Sequence, residues 1–236
     1  MNFPIKQIND FFNSIDTFEG ITSLWGQFGV GKTTLSLQTA YNNALSGFKV
    51  IYIYSKPNFP YNKIDSVIKN DLNEVLNNIL FCKPVTFKDL YNLVFNLEFI
   101  IIDDLKNGDR TFNLVIIDSI TDLYGLELQQ DKKGKNYNLN YKLNQMLANL
   151  TFLNKKYHID VLIVNELSRK TQEGQTYEVE RGGNVMEYWV KRSIKIERTD
   201  KLNHRKFFLM KGKSNNFNSL VFYTILNKHG FEEDPK

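Results

Sequence analysis

The residues with the clearest chemical meaning in this chain are Gly26, Gln27, Phe28, Gly29, Val30, Gly31, Lys32, Thr33 and Thr34. They follow the apolar stretch Ile21-Thr22-Ser23-Leu24-Trp25 and precede Leu35-Ser36-Leu37-Gln38-Thr39-Ala40. From Gly26 through Gly31 to Lys32 and Thr33 the spacing satisfies G-x-x-x-x-G-K-[ST] in full. A strand that runs into a glycine-rich turn and then a helix lets successive backbone N–H groups converge on an anion. Glycine tolerates the positive φ angles that such a curl requires, and a helix N-terminus adds partial positive charge. In this pattern Lys32 reaches the β- and γ-phosphates of a nucleotide, and the Thr33 hydroxyl ligates Mg²⁺.

Such chemistry needs an acid at the tip of a neighbouring strand to hold Mg²⁺ through water. Asp118, at the end of Leu114-Val115-Ile116-Ile117, fits that role. A second apolar run, Phe99-Ile100-Ile101-Ile102, also ends on acids, Asp103 and Asp104. It continues a helical spacing through Leu90, Leu93, Val94 and Leu97, which predicts a solvated helix end there rather than a metal acid.

Several elements must position these groups. Lys49 to Tyr54, Asn113 to Ser119 and Asp160 to Asn165 read as buried strands, being largely β-branched and apolar. Ile79 to Cys82 reads as a short one. Helices are predicted over 62–79, over Phe87 to Leu105, and over 137–156, where Leu139, Leu143, Met146, Leu147, Leu150 and Leu153 share a face. Residues 1–18 form a lead-in of one helical turn around Ile5 to Phe12, and 19–236 form a single core domain. Strands alternate with helices first and a β-rich tail follows, with a hairpin around Asp200 to His204. The order predicts an α/β fold with a mainly parallel, helix-flanked sheet and antiparallel strands at the C-terminal edge.

Bulk properties narrow the class. At 236 residues with 42% hydrophobic content, the chain can bury a full core. A net charge of +4 permits nucleic-acid contact without requiring it. Cys82 is the only cysteine, which excludes an intrachain disulfide and fits a reducing compartment. No apolar run approaches the ~18 residues of a membrane span, and the N-terminal stretch, with its early Lys6 and Asp10, lacks the apolar region of a signal peptide. A cytoplasmic protein without membrane partners is expected.

With both nucleotide motifs placed, the chain resembles the RecA/RadA family of recombination ATPases, in particular the short archaeal RadA paralogues, the RadB-like proteins. The run Glu19 to Thr33, with Phe28 inside the loop, carries most of the resemblance. Val115 to Thr121, Val161 to Leu167, Gly182 to Met186, Lys211-Gly212-Lys213 and Lys228 to Phe231 add to it in the family's order. The resemblance implies a RecA-like P-loop core, ATP and Mg²⁺ as cofactors, and two DNA-binding loops. These fall at 126–137, with Lys132, Lys133 and Lys135, and at 168–181, with Arg169, Lys170 and Arg181. Cations on such loops neutralise phosphates without reading sequence. Implied partners are single-stranded DNA or recombination intermediates, a full-length RadA-type recombinase or another paralogue, and further copies of the chain. Lys211 and Lys213 are candidates for reaching a neighbouring protomer's nucleotide.

The departures carry equal weight. Where the family places a water-positioning Glu, this chain has Lys56, and a cation cannot act as a general base. The family's γ-phosphate-sensing Gln aligns with Glu166, following Asn165; these two are the remaining catalytic candidates. The family His aligns near Tyr188. The N-terminal helical domain of full-length relatives and a clear polymerisation motif are not found. The chain therefore reads as an ATP-binding accessory in recombination or repair with weak or absent hydrolysis. A KaiC-like regulatory ATPase acting on protein partners, or a small-molecule kinase, are the alternatives left open.

Overall fold

Alternation along the central strands decides how the layers form. In β4 (Phe112–Asp118), Leu114 and Ile116 point to one face of the sheet, and Val115 and Ile117 to the other. In β2 (Lys49–Tyr54) and β5 (Asp160–Gln172), residues likewise divide between two separate hydrophobic clusters. A sheet apolar on both faces needs helices on both. A computed structural model describes residues 1–13, 20–67, 72–107, 111–128, 133–172, 174–211 and 218–233 of the chain.

One face is covered by α1 (Lys6–Asn13), α2 (Lys32–Leu45), α3 (Tyr61–Val67) and α4 (Leu72–Asn77), whose Ile8, Phe12, Leu35, Leu37, Ile64 and Val75 join the first cluster. The other is covered by α5 (Phe87–Asn107), α6 (Asp122–Glu127), α7 (Lys133–Tyr157) and α8 (Gly183–Trp189). The lead-in is built into the first layer: Phe3, Ile5, Ile8 and Phe12 are all buried there.

The remaining strands are β1 (Ile21–Gly26), β3 (Ile79–Cys82), β6 (Gln175–Glu180), β7 (Val190–Arg198), β8 (His204–Lys211), β9 (Asn218–Asn227) and β10 (Gly230–Glu233). The sheet runs β10-β9-β8-β7-β1-β5-β4-β2-β3, with β6 paired to β5 outside this path. Pairs from β7 through β1, β5, β4 and β2 to β3 are parallel. Those of β7 with β8, β8 with β9 and β9 with β10 are antiparallel. This is the α/β sheet with antiparallel C-terminal edge that the element order predicts.

Three boundaries differ from the sequence reading. The helix expected over 62–79 is described as α3 and α4, with 68–71 outside the described residues, and it ends at Asn77 because Ile79 already belongs to β3. The helix expected over 137–156 already includes Lys133, because the apolar spacing that marks it begins only at Leu139 while its first turns are polar. The strand expected to end at Asn165 continues to Gln172. Its second half pairs with β6 through Thr171↔Thr176 and Gln172↔Gln175, a hairpin turning at Gly174 with φ of 78°.

Phe207 marks the core of the antiparallel edge. Fully buried, it stacks on Phe222 at 5.2 Å and meets Phe231 edge-on at 5.3 Å. Phe207→Ala is expected to lower unfolding free energy by about 3–5 kcal/mol in guanidinium titration.

Candidate functional site

The strand order brings the chemically marked residues to one edge. β1, β5, β4 and β2 are neighbours and parallel, and their C-terminal ends align through Gly26↔Glu166, Asp118↔Val164 and Tyr54↔Asp118. Ligand crevices in open α/β sheets form at such ends.

The glycine-rich turn follows β1 directly. Gly31 has φ of 109° and caps α2, and a Cβ there would lie 2.7 Å from the Phe231 ring. At Gly26, φ of 148°, a Cβ would meet the Ile196 carbonyl oxygen at 2.2 Å. Only glycine fits both positions. From the antiparallel edge, Arg198 Nη2 donates to Phe28 O at 3.1 Å and Arg205 Nε donates to Val30 O at 3.2 Å. Gln27, Phe28 and Gly29 are exposed, Phe28 to 87%. Lys32, Thr33 and Val30 are buried, and Thr34 is half-buried.

Lys32 is fully engaged. Its ammonium donates to Gly26 O at 2.8 Å, Gln27 O at 2.9 Å and Glu166 Oε2 at 2.8 Å. Burial lowers its pKa from the usual lysine value, against the pull of Glu166. Lys56 Nζ lies 3.5 Å from Glu166 Oε1 and 3.1 Å from Asp118 Oδ1. Burial alone would depress Lys56, yet the carboxylates of Asp118, Glu166 and Asp122 outweigh it and hold the ammonium above the usual lysine range. Lys32, Glu166, Lys56 and Asp118 thus form one chain of alternating charge. Asp122 beside them is pushed up by burial.

Asp118 is fully buried. Its Oδ2 lies 3.3 Å from the Tyr52 hydroxyl, which is 2.6 Å from Ser36 Oγ; Ser36 in turn donates to Thr33 O. Tyr52 therefore connects Asp118 to the turn of α2 that carries Thr33. Burial, then Asp118, push the Tyr52 phenol well above its usual pKa and keep it protonated. Oδ1 of Asp118 is met by the Lys56 ammonium at 3.1 Å and by no neutral donor among the described residues. A buried carboxylate linked through Tyr52 and Ser36 to the turn that carries Thr33 fits a divalent cation held through water rather than by direct ligation. No three His, Cys, Asp or Glu residues gather as a metal centre among the described residues, so such a cation would rely on nucleotide oxygens as well. The competing acids lie elsewhere: Asp104 pairs with Lys49 and accepts from Phe112 N, and Asp103 accepts from Asn107 at the end of α5.

Asn165 is spent on positioning. Its Oδ1 accepts from Thr121 Oγ1 at 2.6 Å and Glu166 N at 2.8 Å, while Nδ2 donates to Arg181 O at 2.8 Å. Glu180 was not marked by sequence. It reaches back from β6 under the site, accepting from Ser23 Oγ at 2.6 Å, Ser193 Oγ at 3.1 Å and Asn165 Nδ2 at 3.4 Å. A single acid in a polar exposed-looking strand gives no sequence signal for this.

Between these groups lies a cavity of about 510 Å³, lined by Phe28, Lys56, Pro57, Asp122, Glu166 and Arg181 among others. A second hollow of about 680 Å³ shares Pro57 and adds the aromatic rings of Phe59, Tyr61 and Phe81.

The cations expected on DNA loops are placed differently from that expectation. Lys133 and Lys135 belong to helix α7, not a loop, and Lys135 is exposed. Lys132 lies outside the described residues. Arg169 and Lys170 are exposed on the β5–β6 hairpin, which is regular antiparallel structure, paired Arg169↔Glu178 and Lys170↔Tyr177. Arg181 turns away from the hairpin tip into the cavity. Lys211 ends β8, and Lys213 lies outside the described residues. Tyr188, near which the family His is expected to align, is exposed on α8.

A glycine-rich loop after the central strand, with an acid two strands away at the same edge, defines a nucleotide-binding α/β protein of the RecA type. The family model described as Rad51 matches residues 6–209. The chain belongs to the Rad51 family. It is similar to proteins described as "DNA repair and recombination protein RadB" from three archaea. The Methanosphaera stadtmanae protein is 27% identical, covering 76% of this chain and 73% of the relative. That of Methanococcus maripaludis is 31% identical, covering 81% of each. That of Methanocaldococcus jannaschii is 32% identical, covering 75% and 78%. Rad51-family proteins bind ATP, typically with Mg²⁺. No helix among the described residues is long and apolar enough to cross a membrane.

Glu180 offers a check on how the site is held. Glu180→Ala strands Ser23, Ser193 and Asn165 without their acceptor and should cost about 2–4 kcal/mol of stability. Burial raises the Glu180 pKa, so the folded state holds its proton more tightly than the unfolded state does. That contribution is complete below the ordinary glutamate pKa of about 4.3 and declines as pH rises through the raised value. Denaturant titrations should therefore show a larger deficit for Glu180→Ala at acidic than at neutral pH.

Proposed function

We propose that this chain is an ATP-binding RecA/RadA-type accessory of homologous recombination or DNA repair, with weak or absent intrinsic hydrolysis. Residues 19–236 act as its ATPase core. Gly26 to Thr34 cradle the phosphates, Lys32 leaving Glu166 for the β- and γ-oxygens. Thr33 and, through water, Asp118 hold Mg²⁺, which when bound neutralises phosphate charge. The single observation that carries the reading is the ammonium of Lys56, 3.1 Å from Asp118, in the place where hydrolysis would need an acid to orient water. Loss of such a group typically costs ~10²–10⁴ in rate. Glu166 is the remaining acid able to take that part, but it is held between Lys32 and Lys56. ATP then acts as a conformational ligand or as glue between subunits.

The recombination role is supported by the names of the similar archaeal proteins and the Rad51 family match, which favour it over a regulatory ATPase of the KaiC kind. The partners proposed are single-stranded DNA or recombination intermediates, a full-length recombinase or another paralogue, and further copies of the chain. Arg169 and Lys170 on the exposed hairpin are the proposed DNA contacts, with Lys132, Lys133 and Lys135 as further candidates. Lys211 and Lys213 are proposed to reach a neighbouring protomer's nucleotide.

Turnover of the purified protein, with and without single-stranded DNA, tests the reading beside Lys32→Ala and Glu166→Gln. The expected result is ATP binding, lost in Lys32→Ala, with hydrolysis near background throughout. Robust, DNA-stimulated turnover that disappears in Glu166→Gln would show instead that Glu166 positions the water. For DNA, the affinity of wild type should fall steeply with salt, and Arg169→Ala/Lys170→Ala should flatten that dependence by about one to two charges' worth of slope.

A further inference from the structure

Lys56 is more than a missing acid, because the fold fixes where its charge goes. Ser55 N donates to Asp118 O at 2.8 Å, Ser55 Oγ donates to Ser119 O at 2.6 Å, and Ser119 N donates to Ser55 Oγ at 2.9 Å. These bonds, between residues that are all buried, lock the end of β2 onto the end of β4. Lys56 leaves the clamp one residue later with its side chain only 20% exposed. Its ammonium can therefore do little other than sit against Asp118 Oδ1 at 3.1 Å and Glu166 Oε1 at 3.5 Å.

A polyphosphate entering this edge must take Lys32 from Glu166 and from the carbonyls of Gly26 and Gln27. Two carboxylates, Glu166 and Asp118, would then face the incoming negative charge. Lys56 touches both. At low local dielectric a fixed unit charge a few ångströms away is a large fraction of the interaction, and no solvent or ion need be recruited to supply it.

We propose that Lys56 is a resident counter-cation of the phosphate site, held on Asp118, which makes nucleotide binding by this protein only weakly dependent on Mg²⁺. The proposal rests on the nucleotide-binding reading above and concerns the ligand's charge balance, not turnover.

The test is the dissociation constant of a fluorescent ATP analogue at fixed ionic strength, in excess Mg²⁺ and in excess EDTA. For wild type the two values are expected to differ by less than about fivefold, a gap of about 1 kcal/mol. Lys56→Met should widen the ratio beyond that by weakening binding in EDTA, while Lys56→Arg should keep it near wild type. Lys56→Gln replaces the Met variant if thermal melts show that the latter does not fold. A wild-type ratio above about fivefold overturns the proposal whatever the variants do, as does a small ratio that folded Lys56→Met leaves unchanged. Failure of wild type to bind in either condition would instead sink the nucleotide reading on which it rests.

Discussion

Everything at this site follows from having to end four neighbouring strands in charge at one buried edge. β1, β5, β4 and β2 deliver Lys32, Glu166, Asp118 and Lys56 to the same few ångströms. Isolated buried charges are too costly to keep, so each must be met by its opposite. The alternation Lys32–Glu166–Lys56–Asp118 satisfies that need without a bound ligand. It also means that a ligand can enter only by exchanging partners within the chain of charges. The neutral groups around it, the Tyr52 hydroxyl and the Asn165 amide, hold two of the acids' surroundings in place so that the exchange is local.

The second constraint is mechanical. The glycine-rich loop is braced from its own helix and also from the antiparallel edge, where Arg198 and Arg205 donate to its carbonyls. Glu180 ties the β5–β6 hairpin to β1 and β7 through Ser23 and Ser193. The hairpin that carries Arg169 and Lys170 is thereby anchored beneath the phosphate loop, and its exposed tip is the extension of an otherwise buried strand.

Much of this was legible in the residues. The loop motif lies in its strand–turn–helix context, and Asp118 was separable from Asp103 and Asp104 because helical spacing runs through the latter into α5. The parallel core and antiparallel edge followed from the order of periodicities. What the sequence did not carry were pairings between distant strands. The run from Ser168 to Glu180 is polar and reads as a loop; it forms a hairpin because β5 extends past the sheet and finds β6 in register. Lys133 and Lys135 read as loop cations because the family resemblance puts a loop at 126–137, where the polar start of α7 offers no apolar spacing to contradict it. Lys56 was legible as a departure from a family pattern but not as a partner of Asp118, since that contact depends on β2 and β4 lying side by side. The bracing arginines gave no signal, because a backbone carbonyl as acceptor has no residue type.

The contact of Phe231 with the phosphate loop has a consequence for how the chain is built. The ring occupies the space behind Gly31, and the backbone of Phe231 exchanges two hydrogen bonds with the Gln38 amide on α2, at 2.8 and 3.2 Å. The loop is thus finished by a residue on β10, far along the chain from the motif itself. Closing a loop of such length costs entropy before the contact repays it. During synthesis the motif, the first strands and their helices emerge well before β10 does. A nascent chain carries the complete phosphate-binding sequence while still lacking the wall behind Gly31 that Phe231 supplies.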